Sequence, residues 1–232
     1  MDTNRKTAII VGVLFIIGTV AGILCLPFLG SVNAPDYLIK VAQNENQVMI
    51  GALLVLIMAF ACAGIAIWLY PVLKKHNEAL ALGSVGFRII EGVFDIVGVI
   101  SLLLLLTLSQ EFVKAGAPDS SYFQTLGTLL LGAHDSISNI SLIPFCLGAL
   151  MYYYIFYQSK LIPRWLSGWG LLAIIMNLTS ALLVLFALIG PFSTVQVVLS
   201  LPIFLQEMVL AVWLIVKGFN PSPIASGLAK QI

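Results

Sequence analysis

Apolar runs punctuated by short polar breaks dominate the chain, at residues 8–29, 48–73, 79–107, 126–157, 165–190 and 195–217. Each is long enough to cross a hydrocarbon core of about 30 Å, which takes about 20 helical residues. Six transmembrane spans are therefore expected. An open strand or loop in lipid would leave backbone groups unpaired, so each span should be an α-helix. The expected fold is all-α: a single domain, a polytopic six-helix bundle, with residues 30–47 and 108–125 as the larger loops and a tight turn at Gly190-Pro191-Phe192-Ser193. The first run follows Arg5-Lys6 as a secretory signal would. At about 20 residues it exceeds an h-region of about 7 to 15, and it reads as an uncleaved first helix.

Composition reinforces the pattern. Of 232 residues 60% are hydrophobic and 9% charged, and the mean hydropathy is +1.07; soluble domains carry about 25% charged residues. A net charge of +1, with no basic run longer than Arg5-Lys6 or Lys74-Lys75, sets nucleic acid aside as a partner. Membrane lipids are the expected surroundings, and no protein partner is legible. The cysteines Cys25, Cys62 and Cys146 sit in apolar stretches without CxxC or Cys/His spacing. Neither a disulfide framework nor a metal site follows, and no cofactor is legible.

Basic residues separate sharply when assigned to alternate sides of the spans. Arg5, Lys6, Lys74, Lys75, Lys160, Arg164, Lys217 and Lys230 fall on one side, and Lys40 and Lys114 on the other. Positive charge favours the cytoplasm, so both termini are expected inside. Trp68, Trp165, Trp169, Trp213 and the run Tyr152-Tyr153-Tyr154 fall at helix ends on that basic side, where an interfacial aromatic belt is expected. Three spans in each half would give the halves opposite topologies, the arrangement of inverted-repeat transporters.

Polar residues inside the spans carry the candidate chemistry, because a charge at the centre of a span costs about 2.5 to 3.5 kcal/mol on insertion scales. They are Arg88, Glu91 and Asp95 in the third span, His134, Asp135 and Asn139 in the fourth, Asn177 in the fifth, and Gln206 and Glu207 in the sixth. At about 100° per residue, Ser84, Arg88, Glu91 and Asp95 share one stripe, as do His134, Ser138 and Ser141. Four acids with Arg88 alone leave three uncompensated negative charges in a dry interior. Such an excess demands protonation, a protonated His134, a bound cation or a cationic ligand. Pro144 and Pro202 stand near these residues and free backbone carbonyls there.

Three functions follow as alternatives. Leading is binding or transport of a small molecule or ion through a midplane carboxylate cluster. Next is an intramembrane enzyme acting on a lipid or isoprenoid with carboxylic acids as proton donor and base, although no catalytic residue can be named. The third is a structural or regulatory membrane partner whose polar network only fixes helix packing.

Certain stretches also resemble a family. They are Tyr70-Pro71-Val72-Leu73-Lys74-Lys75, Gly86-Phe87-Arg88-Ile89-Ile90-Glu91, Leu161-Ile162-Pro163-Arg164-Trp165-Leu166-Ser167-Gly168-Trp169-Gly170, Gln206-Glu207 and Lys217-Gly218-Phe219. Together they resemble the bacterial integral membrane proteins grouped as domain of unknown function 4386. The resemblance implies a multi-pass protein of the bacterial cytoplasmic membrane with six helices. It draws attention to Arg88, Glu91 and Glu207, which stand inside the shared motifs, and it implies no activity.

Overall fold

The computed structural model describes residues 3–117, 121–191 and 193–221. Lys230 and Phe192, named above, lie outside them. Six long apolar helices form the body: α1 (Thr3–Phe28), α3 (Glu45–Leu73), α4 (Glu78–Lys114), α5 (Ser121–Ser159), α6 (Arg164–Leu185) and α7 (Thr194–Val216). No strand occurs among the described residues. A short helix, α2 (Tyr37–Gln43), follows a 3₁₀ turn at Gly30–Asn33 inside the expected loop 30–47.

The helices pack in chain order as a ring, α1 on α3, α3 on α4, α4 on α5, α5 on α6, α6 on α7, and α7 back on α1. The closing contact is tight. A Cβ added to Gly12 on α1 would lie 2.7 Å from the Ala211 carbonyl oxygen on α7, so only glycine permits this approach. Arg5 completes the seam by donating to the Leu214 and Ile215 carbonyls at 3.1 and 2.6 Å. These are orphan carbonyls at the end of α7, which a cation satisfies and stabilises.

Helix starts are written locally. Asn77, in extended backbone, accepts from the Leu80 amide at 3.0 Å and opens α4, and Ser193 accepts from the Gln196 amide at 3.4 Å to open α7. Helix ends depart more from expectation. At 37 and 39 residues, α4 and α5 are about 55 and 58 Å long, and they continue through most of the expected loop 108–125. The α6 helix stops at Leu185, short of residue 190, where Ala187 turns the chain at φ 55°. With 22 and 23 residues, α6 and α7 measure about 33 to 35 Å, so the α4–α5 hairpin projects well past them on one face.

That projecting face holds Lys40 and Lys114, each paired within its own helix to Asp36 and Glu111 at 3.0 and 2.7 Å. The Lys40 ammonium, by hydrogen bonding and charge, holds the Asp36 carboxyl below its ordinary range. The other face, here the basic face, gathers Arg5, Lys6, Lys74, Lys75, Lys160, Arg164 and Lys217 at the ends of the spans. Lys74 and Arg164 there lie over the Tyr70 and Tyr157 rings at 5.3 and 5.6 Å. Trp68, Trp165 and Tyr154 stay exposed on this side, as an interfacial belt requires. Tyr152 and Tyr153 correct that reading: both are fully buried.

Two apolar cores result. The larger occupies the basic half and draws on all six long helices, α4 through Ala81, with Phe15, Leu69, Tyr152, Phe156, Leu166 and Leu214 almost without exposure. Its end is sealed by the α5–α6 connection, where Leu161 and Ile162 are inaccessible. Asn220 ties that connection down, its amide donating to the Leu161 carbonyl at 2.8 Å and its side chain to the Lys160 carbonyl at 2.6 Å. The smaller core lies on the opposite side and joins the 3₁₀ turn, α2, α3 and α4 through residues such as Val32, Leu38, Val48, Leu102 and Phe112.

Candidate functional site

Arg88 is the largest fully buried side chain, at 1% exposure. A lone guanidinium in that setting would be prohibitively costly, and every contact it makes reduces the cost. Its Nη1 lies 2.9 Å from Glu91 Oε2, three residues along α4. Its Nε donates to the Cys62 carbonyl of α3 at 3.3 Å, and its plane covers the Phe145 ring of α5 at 4.7 Å. The aliphatic stem needs room, which Gly148 supplies: a Cβ there would stand 3.0 Å from Arg88 Cγ and 3.2 Å from the Ser84 carbonyl oxygen.

Two further acids join the pair. Asp95 lies two turns along α4, buried at 8% exposure, with its carboxyl beside the Ser141 hydroxyl of α5. Glu207 reaches in from α7, its carboxyl beside the Tyr152 hydroxyl of α5 and within electrostatic reach of Arg88 and Glu91. Glu207 Oε1, Glu91 Oε2, Arg88 Nη1 and the fully buried Tyr152 hydroxyl have no hydrogen bond of good geometry. The group thus holds three acids and one base, with polar atoms left over.

The remaining sequence candidates do other things. Gln206 donates to the Leu166 carbonyl at 3.0 Å and accepts from the Tyr153 hydroxyl, tying α5, α6 and α7 together. Asn177 donates to Cys146 Sγ at 3.4 Å, and Asn139 to the Ala181 carbonyl at 3.3 Å. These are interhelical ties of the kind worth about 0.6 to 2 kcal/mol in a membrane. His134 places Nδ1 3.0 Å from the Gly98 carbonyl, while Asp135 is exposed. Both stand toward the opposite face, away from Arg88. Among the described residues no group of three or more His, Cys, Asp or Glu side chains is arranged to hold a metal ion, and the cysteines are unpaired with one another.

Sequence reasoning overlooked Phe145 and Gly148, read Tyr152 as an interfacial anchor, and put Ser141 on a polar stripe without pairing it to Asp95. A signal existed. On α5, Ser141, Phe145, Gly148 and Tyr152 follow one another at three- and four-residue steps, so they share the face turned toward α4.

The model of the family described as domain of unknown function DUF4386 matches residues 10–218. The chain belongs to that family. The match runs from α1 to the end of α7 and so takes in every residue of the carboxylate group. No curated protein and no solved structure matches the DUF4386 chain, so chemistry rather than analogy must supply a function.

Proposed function

We propose that this DUF4386 protein binds or transports a proton or a small cationic solute through the carboxylates Glu91, Asp95 and Glu207. One observation supports the reading above the others. Arg88 pairs with Glu91 at 2.9 Å, and Asp95 and Glu207 then share that one guanidinium as the cation within their reach, with the hydroxyls of Ser141 and Tyr152 beside them. Three carboxylates around one guanidinium leave two in excess, and such an excess takes up positive charge in a low-dielectric setting. A purely structural network accounts for Gln206 and Asn177, and for the amide nitrogen of Asn139, each of which is spent on a backbone or side-chain partner. It does not account for the Glu207 carboxyl, whose Oε1 has no hydrogen bond of good geometry. In this reading the protein sits in a bacterial cytoplasmic membrane, with the basic face and both termini inside.

Purified protein in liposomes, with a pH gradient imposed and a panel of organic cations offered, provides the test. Glu207→Gln and Asp95→Asn should each reduce proton-linked flux about tenfold or more, the loss expected when a buried charge site is neutralised. Flux identical to wild type in both variants across the panel would exclude the reading.

A further inference from the structure

One face of α5 changes character along its length. Leu131, Ser138, Phe145 and Tyr152 are seven residues apart, so they keep nearly the same direction, drifting about 20° per step. Tyr152 is inaccessible, Phe145 half-buried and Ser138 exposed, and Leu131 beyond them is half-buried against the smaller core. The corresponding face of α7 behaves alike: Leu214 is inaccessible, whereas Glu207 and Ser200 are half-buried. Exposure along these directions therefore rises away from the basic half, while α5 stays tied to α6 through Asn139 and the Ala181 carbonyl at 3.3 Å. The helix lengths supply the reason, since α5 outruns α6 and α7 and rests its far half on α4, through Ser101 Oγ to the Leu130 carbonyl at 3.0 Å and Phe112 on Phe123 at 5.5 Å.

Polar side chains follow the same gradient. Asp95 lies seven residues along α4 from Arg88, about 10 Å nearer the opposite face. Ser141 adjoins it, and Ser138 and Ser200 come next outward. On the basic side of Glu207 the same axis is filled by Tyr152, Tyr153, Phe156, Leu210 and Leu214, all without exposure.

Resting on the reading of a positive-charge site, we propose that Glu207 exchanges protons with the solution on the face opposite the basic residues, through a polar vestibule bordered by Ser138 and Ser200, while the aromatic core closes the basic side. The groups facing Glu207 are Arg88 and Glu91 from α4, Cys62 from α3, and Tyr152, Tyr153 and Cys146 from α5. Only Arg88 among them is basic. A hydronium ion arriving from that face gives its proton to the Glu207 carboxylate and is left as water, and release reverses the step.

Single cysteines at Ser138, Ser200 and Leu210, in full-length protein with Cys25, Cys62 and Cys146 replaced by alanine, test the route. A charged, membrane-impermeant thiosulfonate should modify Ser138→Cys and Ser200→Cys about tenfold faster or more when added on the face opposite a tagged N-terminus, following thiol access. Leu210→Cys should remain unmodified from either face. A pH step on that same face should shift a carboxyl infrared band that Glu207→Gln lacks. Modification of the serine sites from the basic face, modification from neither, or a band that answers only to basic-face pH would each overturn the route. Unchanged flux in Glu207→Gln with the labelling pattern intact would instead reject the site's function and leave the vestibule standing.

Discussion

The two halves of the bundle are built from the same six helices, yet one is packed shut and the other is not. In the basic half, all six long helices converge on aromatic and aliphatic side chains, and a chain segment ending in Asn220 fastens the connection below them. In the opposite half, α2, α3 and α4 make a core of their own, and α5 follows α4 outward while α6 and α7 turn back. Helix length decides this. Spans of about 33 to 35 Å match a membrane, while spans of about 55 to 58 Å must leave it, and a helix leaves its ring neighbours when it outlasts them. The carboxylates sit where the two regimes meet, closed on one side and approached by hydroxyls on the other.

The strongest way to break the contrast is to remove the cation at that boundary. Arg88→Leu leaves Glu91 desolvated without its partner, and breaking a buried pair costs about 3 to 5 kcal/mol. The midpoint of thermal unfolding in detergent should fall accordingly. Adding Glu91→Leu should recover most of the loss, because an apolar pair of similar volume often replaces a buried ion pair at little cost. A single variant as stable as wild type would mean that the basic half is not dry at Arg88, and the closed side of the comparison would fail.

A smaller effect sharpens the closed half itself. Tyr153→Phe keeps the ring that packs on Tyr152 at 4.6 Å and removes only the donor to Gln206. An acceptor left buried without a partner costs about 1 to 3 kcal/mol. The unfolding midpoint should drop by less than in Arg88→Leu, with Gln206→Leu on the same background restoring part of it. No drop would indicate that water reaches Gln206, which a sealed core forbids.

Much of this was legible from residue order alone. Six apolar runs locate the spans because only helices of that length satisfy a backbone in lipid, and the spacing of Arg88 and Glu91 by three residues announces an ion pair on one helix. The short helix Tyr37–Gln43 was hidden, since Leu38 and Val41 become a buried face only when α4 extends far enough to receive them. Polar residues along the start of α5 lower the hydropathy without ending the helix, so span length was underestimated there. Tyr152 and Tyr153 resemble interfacial anchors in sequence. Their burial depends on α6 and α7 meeting above them, which is a property of the assembled ring. The exposure of Ser138 was invisible for a related reason: it lies where α6 and α7 come to their ends, and no pattern within α5 encodes where its neighbours stop.

Asp135 provides the gentlest and most discriminating measurement. It is as acidic as Glu91 and also sits within a membrane-crossing helix, so sequence placed both in one set. The structure separates them by environment: Glu91 is buried beside Arg88, while Asp135 is exposed on the open side. Asp135→Asn preserves shape and deletes one charge, and away from packed contacts such a change stays within about 0.5 kcal/mol. Unfolding should therefore be unaltered. Uptake of a cationic solute should weaken modestly at low ionic strength and recover in salt, the behaviour of a charge that steers without binding. A loss of stability comparable to that of Arg88→Leu would show Asp135 to be enclosed, and the open half would then have to close over it.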